Sequence, residues 1–126
     1  MDPTRCPCGS GLTCAGCCGR LHSGTAAATA EQLVRSRYSA FAVGDAAYVS
    51  ATWDPATRPP ALDLDPDVRW TGLEVLATGG GGLFDAEGTV TFRAHSRAGG
   101  ADHVQAERSR FRRVAGRWVY VDGDVG

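Results

Sequence analysis

The sequence predicts an α+β fold: a cysteine-rich N-terminal segment followed by two helices packed on a curved, four-stranded antiparallel sheet. Three observations predict it. All five cysteines fall between positions 6 and 18, so residues 1–24 form a segment of their own. Residues 29–53 carry apolar side chains at helical spacing, with capping residues where each helix would start. Beyond position 67, four stretches rich in β-branched and aromatic residues are separated by glycine-rich breaks, as in a strand meander. Helices first and strands after place one sheet face against the helices.

A chain of 126 residues accommodates one domain, 25–126, and a small appendage. With 13 Lys and Arg against 14 Asp and Glu, the net charge of −1 gives no global field to attract nucleic acid or anionic lipid. No apolar run reaches the roughly 18 residues that a membrane span needs, and "MDPTRC" lacks the charged-then-apolar pattern of a signal peptide. The expected compartment is therefore the cytoplasm. Thiols stay reduced there, so a tight cysteine cluster reads as a metal site rather than a disulfide framework.

Thr29, followed three positions later by Gln32, fits a capping box that starts the first helix. Leu33, Val34, Tyr38 and Phe41 then share one face, and Gly44 can take the left-handed conformation that ends it. Asp45 caps a second, shorter helix bearing Tyr48, Val49, Thr52 and Trp53, which Pro55 stops. "PATRPPALDLDPD", residues 55–67, reads as a long surface loop. The strands follow as "RWTGLEVLA", "GTVTFRAHS", "DHVQAERSRFRRV" and "RWVYVDG". The glycine run at 79–82 reads as a flexible turn; without a following Lys-Ser/Thr it is not a phosphate loop.

Zinc takes four thiolate or imidazole ligands tetrahedrally. Cys6, Cys8, Cys14, Cys17, Cys18 and His22 are six candidates for those four places, and Gly9 and Gly11 let the backbone reverse between them. "CPCGSG" followed by "CCG" resembles the SEC-C zinc motif, C-x-C-x8-C-[CH], at Cys6, Cys8, Cys17 and Cys18. That resemblance implies these four as the ligands, His22 as a supporting residue or a replacement for Cys18, and Cys14 as a spare thiol. Four protein ligands leave no open coordination position, so the zinc would be structural. Its loss is expected to unfold residues 1–24 and little else.

"LVRSRYSAFAVGDAAYVSATWDPATRP", "WTGLEVL", "ERSRF" and "GRWVYVDG" resemble the YchJ family of small bacterial proteins. The resemblance spans nearly the whole chain. It implies a SEC-C segment before a nuclear-transport-factor-two-like, or cystatin-like, α+β cone, and it implies no activity.

Strand register points to a second candidate site. A two-residue turn at Ala115-Gly116 sets Arg113 opposite Trp118, Phe111 opposite Tyr120 and Ser109 opposite Asp122. A turn at Gly99-Gly100 sets Phe92 opposite Glu107 and Val90 opposite Ser109. One face then carries the apolar set with Glu107, Ser109 and Asp122, while Arg93, His95, Arg108, Arg110 and Arg112 line the other. Arg37 lies on the apolar arc of the first helix, so it can pair with Glu107 or Asp122, supported by Ser109 or Tyr38. Such a group is a structural ion pair or the polar end of a ligand pocket.

His95 and His103 are expected on the open face. Trp53, Trp70 and Trp118 are expected as core anchors, because they sit on different elements. The arginines of the third strand read as a solvated face rather than a phosphate-binding surface. Ser109 has no histidine on its face in this register to activate it, so catalysis is not expected. The leading expectation is a non-enzymatic protein-interaction module with a structural zinc, its knuckle presenting Arg5, Leu12 and Arg20 to a protein partner. The alternative is a small-molecule-binding, hydrolytic or isomerising cone that uses Arg37, Glu107, Ser109 and Asp122. Redox or metal sensing through Cys14 and the vicinal pair Cys17-Cys18 is a third, weaker option.

Overall fold

The computed structural model describes residues 18–22, 24–62 and 64–125. Cys6, Cys8, Cys14, Cys17, Arg5 and Leu12, together with the Arg20 side chain, lie outside the described residues. Among the described residues three helices, α1 (Cys18–His22), α2 (Ala30–Val43) and α3 (Ala46–Ala51), precede four strands: β1 (Arg69–Gly80), β2 (Glu87–Ala98), β3 (Ala101–Val114) and β4 (Arg117–Val125). The strands form one antiparallel sheet in the order β1-β2-β3-β4.

Capping sets the helix limits. The Thr29 hydroxyl accepts from Gln32 N–H, and Gly44 ends α2 at φ 77° with its N–H turned back to Ala40 and Phe41 carbonyls. Gln32 Oε1 reaches back to Ala28 N–H, one residue before the partner a capping box would give it. Asp45 then caps α3 by accepting from Tyr48 N–H. The second helix is shorter than its sequence pattern suggests. It stops at Ala51, and the backbone of residues 52–54 joins the sheet edge instead: Asp54 N–H donates to Tyr120 O and Tyr120 N–H to Thr52 O, both at 2.8 Å.

Helix α1 brings its own anchors. Leu21 is 2% exposed and packs in one cluster with Leu33, Val34, Val90, Phe111 and Trp118. Each fully buried aliphatic side chain of such a cluster contributes about 1.5–3 kcal/mol. His22 sits against the Tyr48 ring, centroids 4.5 Å apart, with Nε2 2.8 Å from Ser36 O. Leu21 precedes the boundary at residue 24 yet lies in the core.

The 79–82 glycine run closes tightly on the start of α2. Gly81 is buried with φ +74°, its carbonyl accepts from Ala30 N–H at 2.9 Å, and a Cβ there would meet Ala30 Cβ at 2.8 Å. Glycine is needed because both the backbone conformation and the close approach exclude a side chain. Among the described residues no helix is long and apolar enough to cross a membrane.

Candidate functional site

Both hairpin turns fall where the sequence places them, with Ala98 opposite Ala101 and Val114 opposite Arg117. Phe92 therefore faces Glu107, Val90 faces Ser109, Phe111 faces Tyr120 and Arg113 faces Trp118. Asp122 departs from the expectation. The β3–β4 register shifts between Arg110 and Phe111, so Asp122 lies opposite Arg110 and Gly123 opposite Ser109. One extra residue in β4 turns every later side chain to the other face. The edge contact at residues 52–54 and the Thr57 hydroxyl, which donates to Val121 O at 2.7 Å, hold β4 in this shifted form. Asp122 consequently takes the Arg110 Nε–H at 2.5 Å on the outer face, beside Asp124 on Nη1 at 2.9 Å.

What remains on the inner face is a cleft of about 270 Å³ between α2 and the sheet. Arg37, Tyr38, Trp53, Trp70, Phe92, Glu107, Ser109 and Tyr120 are among its walls. Tyr38 packs edge-on against Trp70 at 5.7 Å, and Phe41 lies 5.9 Å from the same ring. Trp53 and Trp70 are thus cleft walls, whereas Trp118 is the core anchor expected, 2% exposed with its indole N–H on Ala28 O.

Arg37 does not form the ion pair with Glu107 or Asp122 that its position on α2 suggests. Its Nη1 donates to Val49 O and Thr52 Oγ1, each at 2.8 Å, because the end of α3 reaches the guanidinium first. The guanidinium lies 5.2 Å from the Trp53 ring centroid and 4.8 Å from that of Tyr120. Burial pulls its pKa down to about 10, so it still carries its charge at neutral pH.

Glu107 is satisfied by its own wall. Oε2 accepts from the Ser109 hydroxyl and, at 3.3 Å, from the Tyr120 hydroxyl, while Gln105 Nε2 donates to Oε1. Burial, with the Glu107 carboxylate adding to it, pushes the Tyr120 hydroxyl up to about 12, so it keeps the proton it donates. The absence of a side chain at Gly123 matters here: a Cβ would lie 2.8 Å from Glu107 Cδ.

The outer face is a set of ion pairs. Arg97 meets Asp102 at 2.8 Å and His95 meets Glu74 at 2.5 Å. His103 is not on this face, contrary to expectation: opposite Ser96, it shares the face of Glu107 and Ser109, exposed at the hairpin end with Nε2 3.4 Å from Ala98 O. Arg112 makes a two-pronged contact to Asp54, 2.5 and 2.9 Å, that the sequence reading did not anticipate. Asp54 is only 2% exposed, and the hydrogen bond from Arg112 holds its carboxyl below the usual range. Arg113, on the face of Phe111, stacks 4.5 Å over Trp118 and donates to Asp85 O and Leu83 O across the β1–β2 turn.

Of the metal candidates, Cys18 and His22 are described. Cys18 is buried, and the contact of His22 Nε2 with Ser36 O leaves Nδ1 as its other nitrogen. Among the described residues no group of three His, Cys, Asp or Glu side chains converges to hold a metal.

Helices leaning on one face of an antiparallel meander, with an aromatic cleft between them, define the class: a nuclear-transport-factor-two-like domain. The model of the family described as "YchJ, middle NTF2-like domain" matches residues 29–123, and the chain belongs to the YchJ family. It is 61% identical over 125 residues to a UPF0225 protein of Streptomyces coelicolor, covering 98% of each chain. Two solved structures share the fold. The solution structure of a SEC-C motif containing protein from Rhodopseudomonas palustris matches with TM-score 0.82 and 38% identity, covering 95% of this chain and 97% of that one. A crystal structure of a SEC-C motif containing protein from Psychrobacter arcticus gives 0.79 and 28%, covering 96% and 82%.

Proposed function

We propose that this protein is a non-catalytic small-ligand-binding domain whose N-terminal segment is stapled by a structural zinc. The observation that carries the ligand reading is Arg37: a buried cation at the wall of an aromatic cleft with no carboxylate paired to it among the described residues. Ion pairs that merely hold a fold together are closed, as Arg112 with Asp54 is. An open one in a cleft is the usual mark of a binding site.

Zinc would be held by Cys6, Cys8, Cys17 and Cys18, with His22 in reserve. Four thiols are a soft donor set that suits it, and the two solved relatives are SEC-C motif containing proteins. When bound, the metal supplies folding energy to the segment and no reactive position.

Elemental analysis of the purified full chain is expected to give stoichiometric zinc, lost in Cys6→Ser and Cys8→Ser and kept in Cys14→Ser. Zinc that survives both losses overturns the ligand set. For the cleft, Ala94 is a buried wall residue, so Ala94→Phe is expected to fill it and abolish binding of small aromatic fragments seen by ligand-observed NMR. Fragments that bind the filled variant equally well place their site elsewhere.

A further inference from the structure

The cleft holds more hydrogen-bond donors than acceptors. Only Nη1 of Arg37 is bonded, to Val49 O and Thr52 Oγ1, which leaves the Nε–Nη2 edge without a partner among the described residues. Trp53, 5.2 Å away, adds a buried indole N–H that likewise has no partner there. The one carboxylate in the cleft wall among the described residues, Glu107, already accepts from Ser109, Tyr120 and Gln105. Tyr120 stands between the two charges, its ring on the guanidinium and its hydroxyl on Glu107.

The free edge is specific in shape. Nε and Nη2 present parallel N–H bonds at the spacing of the two oxygens of a carboxylate, which a single point charge would not match. The surroundings are flat and apolar, and about 270 Å³ lies just below the roughly 300–1,000 Å³ of drug-sized sites. One ring, or two fused, fits that space.

We infer that the cleft binds a small planar carboxylate, its two oxygens on the Nε–Nη2 edge of Arg37 and its ring beside Tyr38, Trp70 and Phe92. The inference rests on reading the cleft as a ligand site. The ligand supplies the counter-charge that no described residue provides, and its acceptor oxygens come within reach of the orphaned Trp53 N–H. Glu107, saturated on its own wall, discriminates against a second negative group at the far end of the ligand.

Three isosteric probes test this on the full chain: 2-naphthoate, 2-naphthamide and 2-naphthylmethylammonium, titrated by calorimetry and by amide and indole N–H shifts in NMR. The carboxylate is expected to bind at least about tenfold tighter than the amide, to move the Trp53 indole signal, and to leave the ammonium without detectable binding. Arg37→Gln is expected to erase the preference for carboxylate while the amide affinity stays. Equal affinity for carboxylate and amide overturns the ligand class and leaves the cleft a binding site. Failure of all three probes to bind overturns the cleft reading itself. The wild-type series decides between these outcomes even if Arg37→Gln does not fold.

Discussion

On the outer face of the sheet Arg112 reaches a buried carboxylate, Arg110 two exposed ones and Arg97 a fourth, whereas on the inner face Arg37 is surrounded by rings, one carbonyl and one hydroxyl. These better-solvated arginines have counter-ions, and the desolvated one has none among the described residues. Electrostatic cost alone would arrange them the other way, since an uncompensated charge is far more expensive in a dry site. Inner-face cohesion must therefore come from packing, while the outer face adds charge pairing that holds the 52–58 segment to the sheet. The difference is what the proposed ligand site predicts: an inner cation kept for binding rather than for stability.

The largest test of this division is Trp118→Ala. Trp118 is buried in the inner cluster without lining the Arg37 cleft, so its removal is expected to cost about 3–5 kcal/mol by chemical denaturation. A loss under about 1 kcal/mol would mean that packing does not dominate there.

Asp54→Asn comes next. It should lower the thermal midpoint clearly but by less, because Arg112 is half exposed and can turn to water. Its pH dependence has a definite sign. The folded carboxyl titrates below its ordinary 3.8, so the stabilisation is full above that value and is lost as pH falls through the lower folded value. Wild type and variant should converge in strong acid. A gap that persists there would assign the effect of Asp54 to something other than its charge.

Arg37→Met is expected to have the smallest effect on stability, within about 1 kcal/mol, since relief of burial offsets the lost bonds to Val49 and Thr52. A loss of several kcal/mol in denaturation would make Arg37 a structural strut and erase the contrast between the faces.

Much of this was legible in the residues. Thr29, Gly44 and Asp45 marked the helix limits because caps act locally, and the Gly99-Gly100 and Ala115-Gly116 turns fixed which side chains lie opposite each other near them. Arg37, Tyr38, Glu107 and Ser109 meet in the cleft for that reason. Helix α1 was not legible: five residues are too few for a periodic pattern, and the shift in composition at Ser23-Gly24 concealed that Leu21 belongs to the core. The Asp54–Arg112 pair joins residues 58 apart in sequence, and "TWDP" within a proline-rich stretch gave no sign of a buried carboxylate. Nor did β4 announce its irregularity, since the contacts that hold it come from Thr52, Asp54 and Thr57, outside the strand.

That irregularity has a consequence for how the cleft is encoded. In a strand, odd and even positions belong to opposite sides, so the extra residue between Tyr120 and Asp122 is a change of parity. With even spacing Asp122 would face inward, across from Ser109, where a second carboxylate could neutralise Arg37. The polarity of the cleft thus depends on a count of residues as much as on their chemistry. Among relatives, an insertion or deletion of one residue in this strand would turn a carboxylate at this position inward and cancel the charge of the cleft cation while leaving every cleft-facing side chain of α2 unchanged.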